Sequence, residues 1–190
     1  DDAKRNEDYI GWYIEKFKKE GVGLELIYTD EIDCENVPDF AVVRAIRPDI
    51  TKKLESNGVR CFNNSFVSEI CNDKALTYKY VSERGVEIMP TYYSTEEVKG
   101  FPVVIKPKNS HGGDRVNMAE SYGELMKLMP LYEGDNYVIQ AVASERGKDL
   151  RVYVIGNKII TAMLRESKTD FRSNFCLGGQ ASVYDINSEE

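Results

Sequence analysis

Two β-prone runs, Leu150 to Ile155 and Lys158 to Leu164, flank the pair Gly156-Asn157. A two-residue link containing glycine between such runs predicts a tight hairpin of antiparallel neighbours. The surrounding sequence extends that pattern. Val103-Val104-Ile105 reads as a buried strand, Tyr137 to Val142 as another, and Ala181 to Ile186 as a last one after Gly178-Gly179. Two helix starts punctuate this half. Asp73 can cap a helix from Lys74 to Arg84 ended by Gly85, and Ser121 with Glu124 forms a capping box before Leu125, Met126, Leu128 and Met129. Ser94 with Glu97 has the same capping spacing.

The first third is patterned differently. Tyr9, Ile10, Tyr13, Ile14 and Phe17 fall on one helical stripe opposite Glu15, Lys16, Lys18 and Lys19, and Gly21 and Gly23 stop it. Trp12 and the tyrosines near it are read as core of that helix. Leu24 to Tyr28, Phe40 to Ala45 and Val59 to Phe62 read as strands, with Pro48 opening a short helix and Ser65 capping one that runs to about Cys71. Strands alternating with helices predict a parallel α/β arrangement. Such a unit usually opens on a strand, so residues are expected ahead of Asp1. The expected organisation is an α/β domain over 1–64, then an α+β fold in two parts, 65–136 and 137–190.

Composition narrows the function. The 190 residues carry a net charge of −7, with 25 basic and 32 acidic side chains. That balance argues against a general nucleic-acid or membrane-surface binder, which needs a basic field. No run has the apolar length of a membrane span, and the polar, acidic start is unlike a signal peptide. Cys34, Cys61, Cys71 and Cys176 are scattered, without a CxxC pair. They read as reduced thiols of a cytoplasmic protein rather than a zinc site.

Three segments carry chemistry. In the first, Phe101-Pro-Val-Val-Ile-Lys106-Pro-Lys-Asn-Ser110-His-Gly112-Gly113, a lysine ends a buried strand and a glycine-bearing loop follows. Backbone N–H groups in such a loop can approach phosphate oxygens, and the lysine adds a point charge. A plain hairpin loop with a surface lysine fits the same residues. The second segment is Tyr137-Val-Ile-Gln140-Ala141-Val142-Ala-Ser-Glu145-Arg-Gly-Lys-Asp149-Leu-Arg151. Asp149 and Arg151 share a strand face by the period of two, one suited to a ribose hydroxyl and the other to an anion. A solvent-facing ion pair is the plain alternative. The third, Arg165 to Gly179, crowds Arg165, Arg172 and Asn174 beside paired glycines, a concentration that connecting loops seldom show without a ligand. His111 is the single histidine and has no partner in sequence that would make it a general base.

Taken in order, these segments resemble the ATP-grasp superfamily, and within it the RimK-like carboxylate–amine ligases. The likeness runs from about residue 36 to 187. Its carriers are Asn72-Asp73-Lys74 opening a helix, Lys106 with Ser110-His-Gly-Gly, the strand ending at Gln140, Lys148-Asp149-Leu-Arg151, and Asp170-Phe-Arg-Ser-Asn174 before Gly178-Gly179. The resemblance implies ATP between two subdomains. Lys74 and Lys106 would meet its phosphates, under a loop of Ser110, Gly112 and Gly113. Gln140, Ala141 and Val142 would line the adenine hinge, with Glu145 and Asp149 near the ribose. Arg151, Arg165, Arg172 and Asn174 would neutralise charge at the reacting centre, and Arg44 would face the acceptor.

The implied substrates are a carboxylate and an amine, with peptides and proteins among the acceptors. No nucleic-acid or membrane partner and no oligomeric state are implied. Two departures stand out. Ala141 replaces a carboxylate usual at the hinge. The acidic residues that hold magnesium in the family are expected beyond Glu190, so the fold is expected to be incomplete here, and this chain by itself is expected to bind ATP weakly and turn over slowly.

Overall fold

A computed structural model describes residues 2–33, 36–132, 134, 136–173 and 178–186. The chain divides into two compact units, Asp1–Glu69 and Ile70–Glu190.

In the first unit, α1 (Asp2–Arg5) and α2 (Glu7–Lys19) precede β1 (Phe40–Val42), α3 (Pro48–Ser56) and β2 (Arg60–Phe62), and α4 (Ser65–Cys71) begins in it. β1 and β2 pair in parallel with Phe40 opposite Arg60, the α/β arrangement the sequence predicts. Pro48 starts α3, where a missing N–H is harmless. Leu54, Val59 and Cys61 form the unit's small core, with Ile32, Val37, Ala41, Val43 and Ile50 packed on it.

Two expectations fail in this unit. Leu24 to Tyr28 forms no strand: β1 and β2 pair only with each other, and the segment joins neither. Nor does Trp12 serve a core. Helix α2 buries no residue, and Tyr9 and Trp12 are 45% and 52% exposed. Their rings stack on each other instead, 6.0 Å apart.

The second unit holds two antiparallel sheets. β3 (Thr91–Tyr92), β4 (Val103–Pro107), β5 (Asn117–Ala119) and β6 (Tyr137–Ala141) form one in the order β3-β6-β4-β5. β7 (Lys148–Ile155), β8 (Lys158–Glu166) and β9 (Gln180–Tyr184) form the other in chain order, around the predicted hairpin. β6 pairs with β3 and β4, so by strand pairing Tyr137 to Ala141 goes with the residues before it, although the sequence suggests a division at 136/137.

Alternation along β4 explains why its lysine is where it is. Val103, Ile105 and Pro107 are buried, while Val104 and Lys106 point the other way. The buried side joins Ala119, Leu125, Tyr132 and Ile139 in the main core, under α6 (Tyr122–Leu128). Each such side chain contributes roughly 1.5–3 kcal/mol by leaving water. Ser121 caps α6 by accepting from the Glu124 N–H at 3.3 Å. Glu124 reaches back to the Glu120 N–H at 2.8 Å, one residue earlier than the capping box predicts. Ser94 and Glu97 start no helix. The Glu97 carboxylate accepts from the Tyr93 N–H at 2.8 Å, and Gly100 and Pro102 follow too soon for a helix to continue.

Candidate functional site

Helix α5 (Lys74–Ser82) sets the first part of the site. Asp73 caps it by accepting from the N–H groups of Ala75 at 2.7 Å and Leu76 at 3.0 Å. The Lys74 N–H donates to Lys108 O at 3.0 Å, which ties the helix start to the loop after β4. The Lys74 ammonium then donates into that loop, to Pro107 O at 3.1 Å, Lys108 O at 3.2 Å, Ser110 O, and Ser110 Oγ at 3.2 Å. Burial lowers the Lys74 pKa, and the nearby charge of Lys106 adds to that, partly offset by Asp73.

Lys106 lies on the open face of β4. Its Nζ donates to Tyr78 Oη and to Gln140 Oε1, both at 2.8 Å. Burial lowers its pKa to about 8. Two lysines thus crowd one corner with neutral oxygens as hydrogen-bond partners and Asp73 offsetting Lys74 in part, which leaves positive charge suited to a polyanion. Beyond Ser110, Gly112 and Gly113 take φ of +68° and +82°, a left-handed turn that other residues enter only with strain. A polar hollow beside this loop is lined by Asn109, Ser110, Asp114 and Arg115.

The second part lies on the β7–β9 sheet. Arg165 forks onto Asp149 from the opposite strand, with Nε 2.7 Å from Oδ1 and Nη2 on Oδ2. Ser173 Oγ donates to the same Oδ2. Partial burial of Asp149 opposes ionisation. The hydrogen bonds from Arg165 and Ser173 and the charges of Arg165 and Arg151 outweigh it and hold the carboxyl below its usual range. Arg172 forks onto Asp170, at 3.0 Å from Nε and 2.8 Å from Nη2, and lowers the Asp170 pKa. Its Nη1 donates to Gly113 O at 3.2 Å, so the glycine loop and the second sheet meet at this arginine.

The remaining predicted residues are placed as follows. Arg151 is exposed on β7, opposite Met163. Glu145 is exposed and sits 3.6 Å from Lys148. The Ala141 N–H donates to Pro90 O at 2.8 Å and the Val142 N–H to Pro102 O at 3.3 Å. A base at this hinge gains those two donors only if a backbone bond is given up. Arg44 is in the first unit, with its guanidinium 5.7 Å from the Tyr9 ring centroid. Asn174 lies outside the described residues.

Sequence reasoning gives no site role to Tyr78, Thr91, Asp170, Ser173 and Gly147, although Asp170 and Ser173 lie in a motif that carries the resemblance. Tyr78 had a signal, since it follows Lys74 by four residues and so shares its helix face. Gly147 was hidden in a polar stretch. A Cβ there would meet Ser167 O at 2.6 Å and Asp170 O at 2.8 Å, and its φ is +70°. Among the described residues no group of three or more His, Cys, Asp or Glu could hold a metal ion. No described helix is long and apolar enough to cross a membrane.

A family model described as the RimK-like ATP-grasp domain matches residues 86–190. An uncharacterized protein of Mycoplasma genitalium is 26% identical over 193 residues, covering 98% of this chain and 67% of its own. A probable alpha-L-glutamate ligase of Hydrogenovibrio crunogenus is 32% identical over 154 residues, covering 74% of this chain and 51% of its own. This chain therefore spans about half to two thirds of the length of those relatives.

Among solved structures, a RimK domain ATP-grasp protein of Sphaerobacter thermophilus superposes with a TM-score of 0.63 at 18% identity, over 78% of this chain and 65% of that one. A D-alanine–D-alanine ligase of Bacillus anthracis gives 0.63 at 21% identity, over 88% and 61%. These likenesses establish the fold as an α+β ATP-grasp fold. With the family model covering more than half of its residues, the chain belongs to the RimK-like ATP-grasp family.

Proposed function

We propose that this chain binds ATP for a ligase that joins a carboxylate to an amine. The observation that carries this reading is the convergence of Lys74 and Lys106 with the Ser110-to-Gly113 loop, which Arg172 closes from the second sheet. Cations held by neutral acceptors beside a glycine turn suit phosphate oxygens. Asp149 offers a carboxylate to a ribose hydroxyl, and Gln140 to Val142 border the base. Arg165 and Arg172, with Arg151 and Asn174, would balance charge as phosphate moves.

In the proposed reaction the substrate carboxylate attacks the γ-phosphate and ADP leaves. The resulting acylphosphate is then attacked by an amine, which displaces phosphate and forms the amide. The names of the Hydrogenovibrio relative and of the Bacillus ligase support an amino acid, glutamate first, as one of the two substrates. The acceptor amine or carboxylate would belong to a peptide, a protein or a small cofactor. We place the reaction in the cytoplasm, with magnesium as the expected metal.

The test is calorimetric titration of the full-length protein with ATP, followed by its ADP release and mass spectrometry with glutamate and a peptide acceptor. ATP binding with an amide product supports the reading. Lack of ATP binding overturns it. A phosphorylated product in place of the amide marks a kinase-like transferase, and binding without turnover marks a nucleotide-binding module.

A further inference from the structure

Lys106 is held by an arrangement whose parts fix one another. Thr91 Oγ donates its single proton to Met89 O at 2.9 Å, so it must accept the 2.9 Å bond from Gln140 Nε2. That fixes the Gln140 amide with Oε1 toward Lys106. On the other side Tyr78 meets the same ammonium through its hydroxyl oxygen, which accepts at 2.8 Å. Two of the three N–H groups of Lys106 are thereby used on neutral oxygens. The third remains for an anion, and the positive charge is not neutralised.

We propose that Tyr78 is a positioning residue for Lys106, whose hydroxyl holds the ammonium in place and charged where the nucleotide phosphates bind. This rests on the nucleotide reading of the site. A lysine stem is flexible, and a desolvated ammonium favours its neutral form unless acceptors surround it. Tyr78 supplies an acceptor without a counter-charge that would compete with phosphate. It comes from α5, the helix that also carries Lys74, so one helix would set both cations.

The ionisable groups facing Lys106 are Lys74 and Tyr78 on α5, with Asp73 acting on Lys74. Gln140 and Thr91, from β6 and β3, do not titrate. Burial raises the Tyr78 pKa above its ordinary value, so the phenol stays neutral while Lys106 titrates near 8. Lys106 has a lowered folded pKa, so its charge is present below about 8 and lost above it.

The experiment is ATP affinity by calorimetry from about pH 6.5 to about pH 9.5, with the Lys106 signal followed by NMR in protein carrying 13C-labelled lysine. Wild type should bind evenly below its break and lose about tenfold in affinity per pH unit above it. Tyr78→Phe keeps the ring and removes the acceptor. It should move both the affinity break and the NMR midpoint down by about one unit. A midpoint that stays put in Tyr78→Phe, with or without a uniform loss of affinity, overturns the proposal. Lys106→Met separates the two readings: if it binds ATP as tightly as wild type, the nucleotide assignment of the site fails instead.

Discussion

Asp149 and Arg165 stand directly opposite each other on β7 and β8 and meet in a two-point fork. The Arg165 side chain is 15% exposed and that of Asp149 37% exposed, so the pair is neither a surface bridge nor fully buried. Arg165→Met keeps the stem and removes the fork, leaving Asp149 with Ser173. Discounted for the exposure of Asp149, the expected loss is about 1–2 kcal/mol, below the ~3–5 kcal/mol seen when a fully buried pair is broken. Because the Asp149 pKa is depressed in the folded state, its contribution is present above the ordinary carboxylate range and disappears as pH falls through the folded value. Urea unfolding of both proteins at neutral and acid pH checks this. A difference that grows toward acid would refute it.

Gly147 is where the segment after β8 closes onto the segment before β7. Its N–H donates to Phe171 O at 2.9 Å, and its carbonyl accepts from the Ser167 N–H at 2.7 Å. An added Cβ would collide with two backbone oxygens that belong to this same closure. Gly147→Ala is therefore expected to destabilise by about 2–4 kcal/mol, combining left-handed strain with the clash. Faster amide exchange at Ser167 and Arg172 should accompany the loss. Unchanged exchange there would show that the closure tolerates the methyl group.

How far the sequence foretold this structure depended on whether a feature was local. The hairpin, the Asp73 cap and the Ser121 cap need only neighbours in the chain, and all three formed. Lys106 was legible because the alternation of β4 forces it away from the buried side. Leu24 to Tyr28 has the composition of a strand but pairs with neither β1 nor β2, and composition does not specify a pairing partner. The partners of the site residues were invisible for a related reason. Gln140 and Lys106 are far apart in sequence and meet only because β6 lies beside β4. Asp149 was paired in sequence with Arg151, its neighbour on the same face, yet the fork comes from Arg165 across the ladder.

Tyr132 anchors the main core through its hydroxyl. It accepts from Asn117 Nδ2 at 2.7 Å and donates to Arg115 O at 2.6 Å, with Ile105 O at 3.1 Å. The residue is 2% exposed, so Tyr132→Phe strands polar groups that water cannot easily reach. About 1–3 kcal/mol of stability should be lost with no change in the size of the core. The midpoint of thermal unfolding reads this out, and a shift within error would mean the strand ends relax to find other partners.

Lys74 places the last prediction at the site itself. Its ammonium is spread over carbonyl oxygens of the loop that leads to Gly112 and Gly113. That wiring fixes the loop and at the same time occupies the cation. Phosphate oxygens would have to draw the ammonium from those carbonyls, which favour it less than an anion does. Lys74→Met should therefore do two separable things. The loop loses its tether, so the amides of Ser110 and His111 exchange faster in the unliganded protein. ATP affinity falls by about tenfold or more, since a charged hydrogen bond contributes roughly 1.5–3 kcal/mol. Exchange measured without ATP and calorimetry with it distinguish the effects. A looser loop with undiminished ATP affinity would assign Lys74 to loop structure alone and leave Lys106 as the phosphate cation.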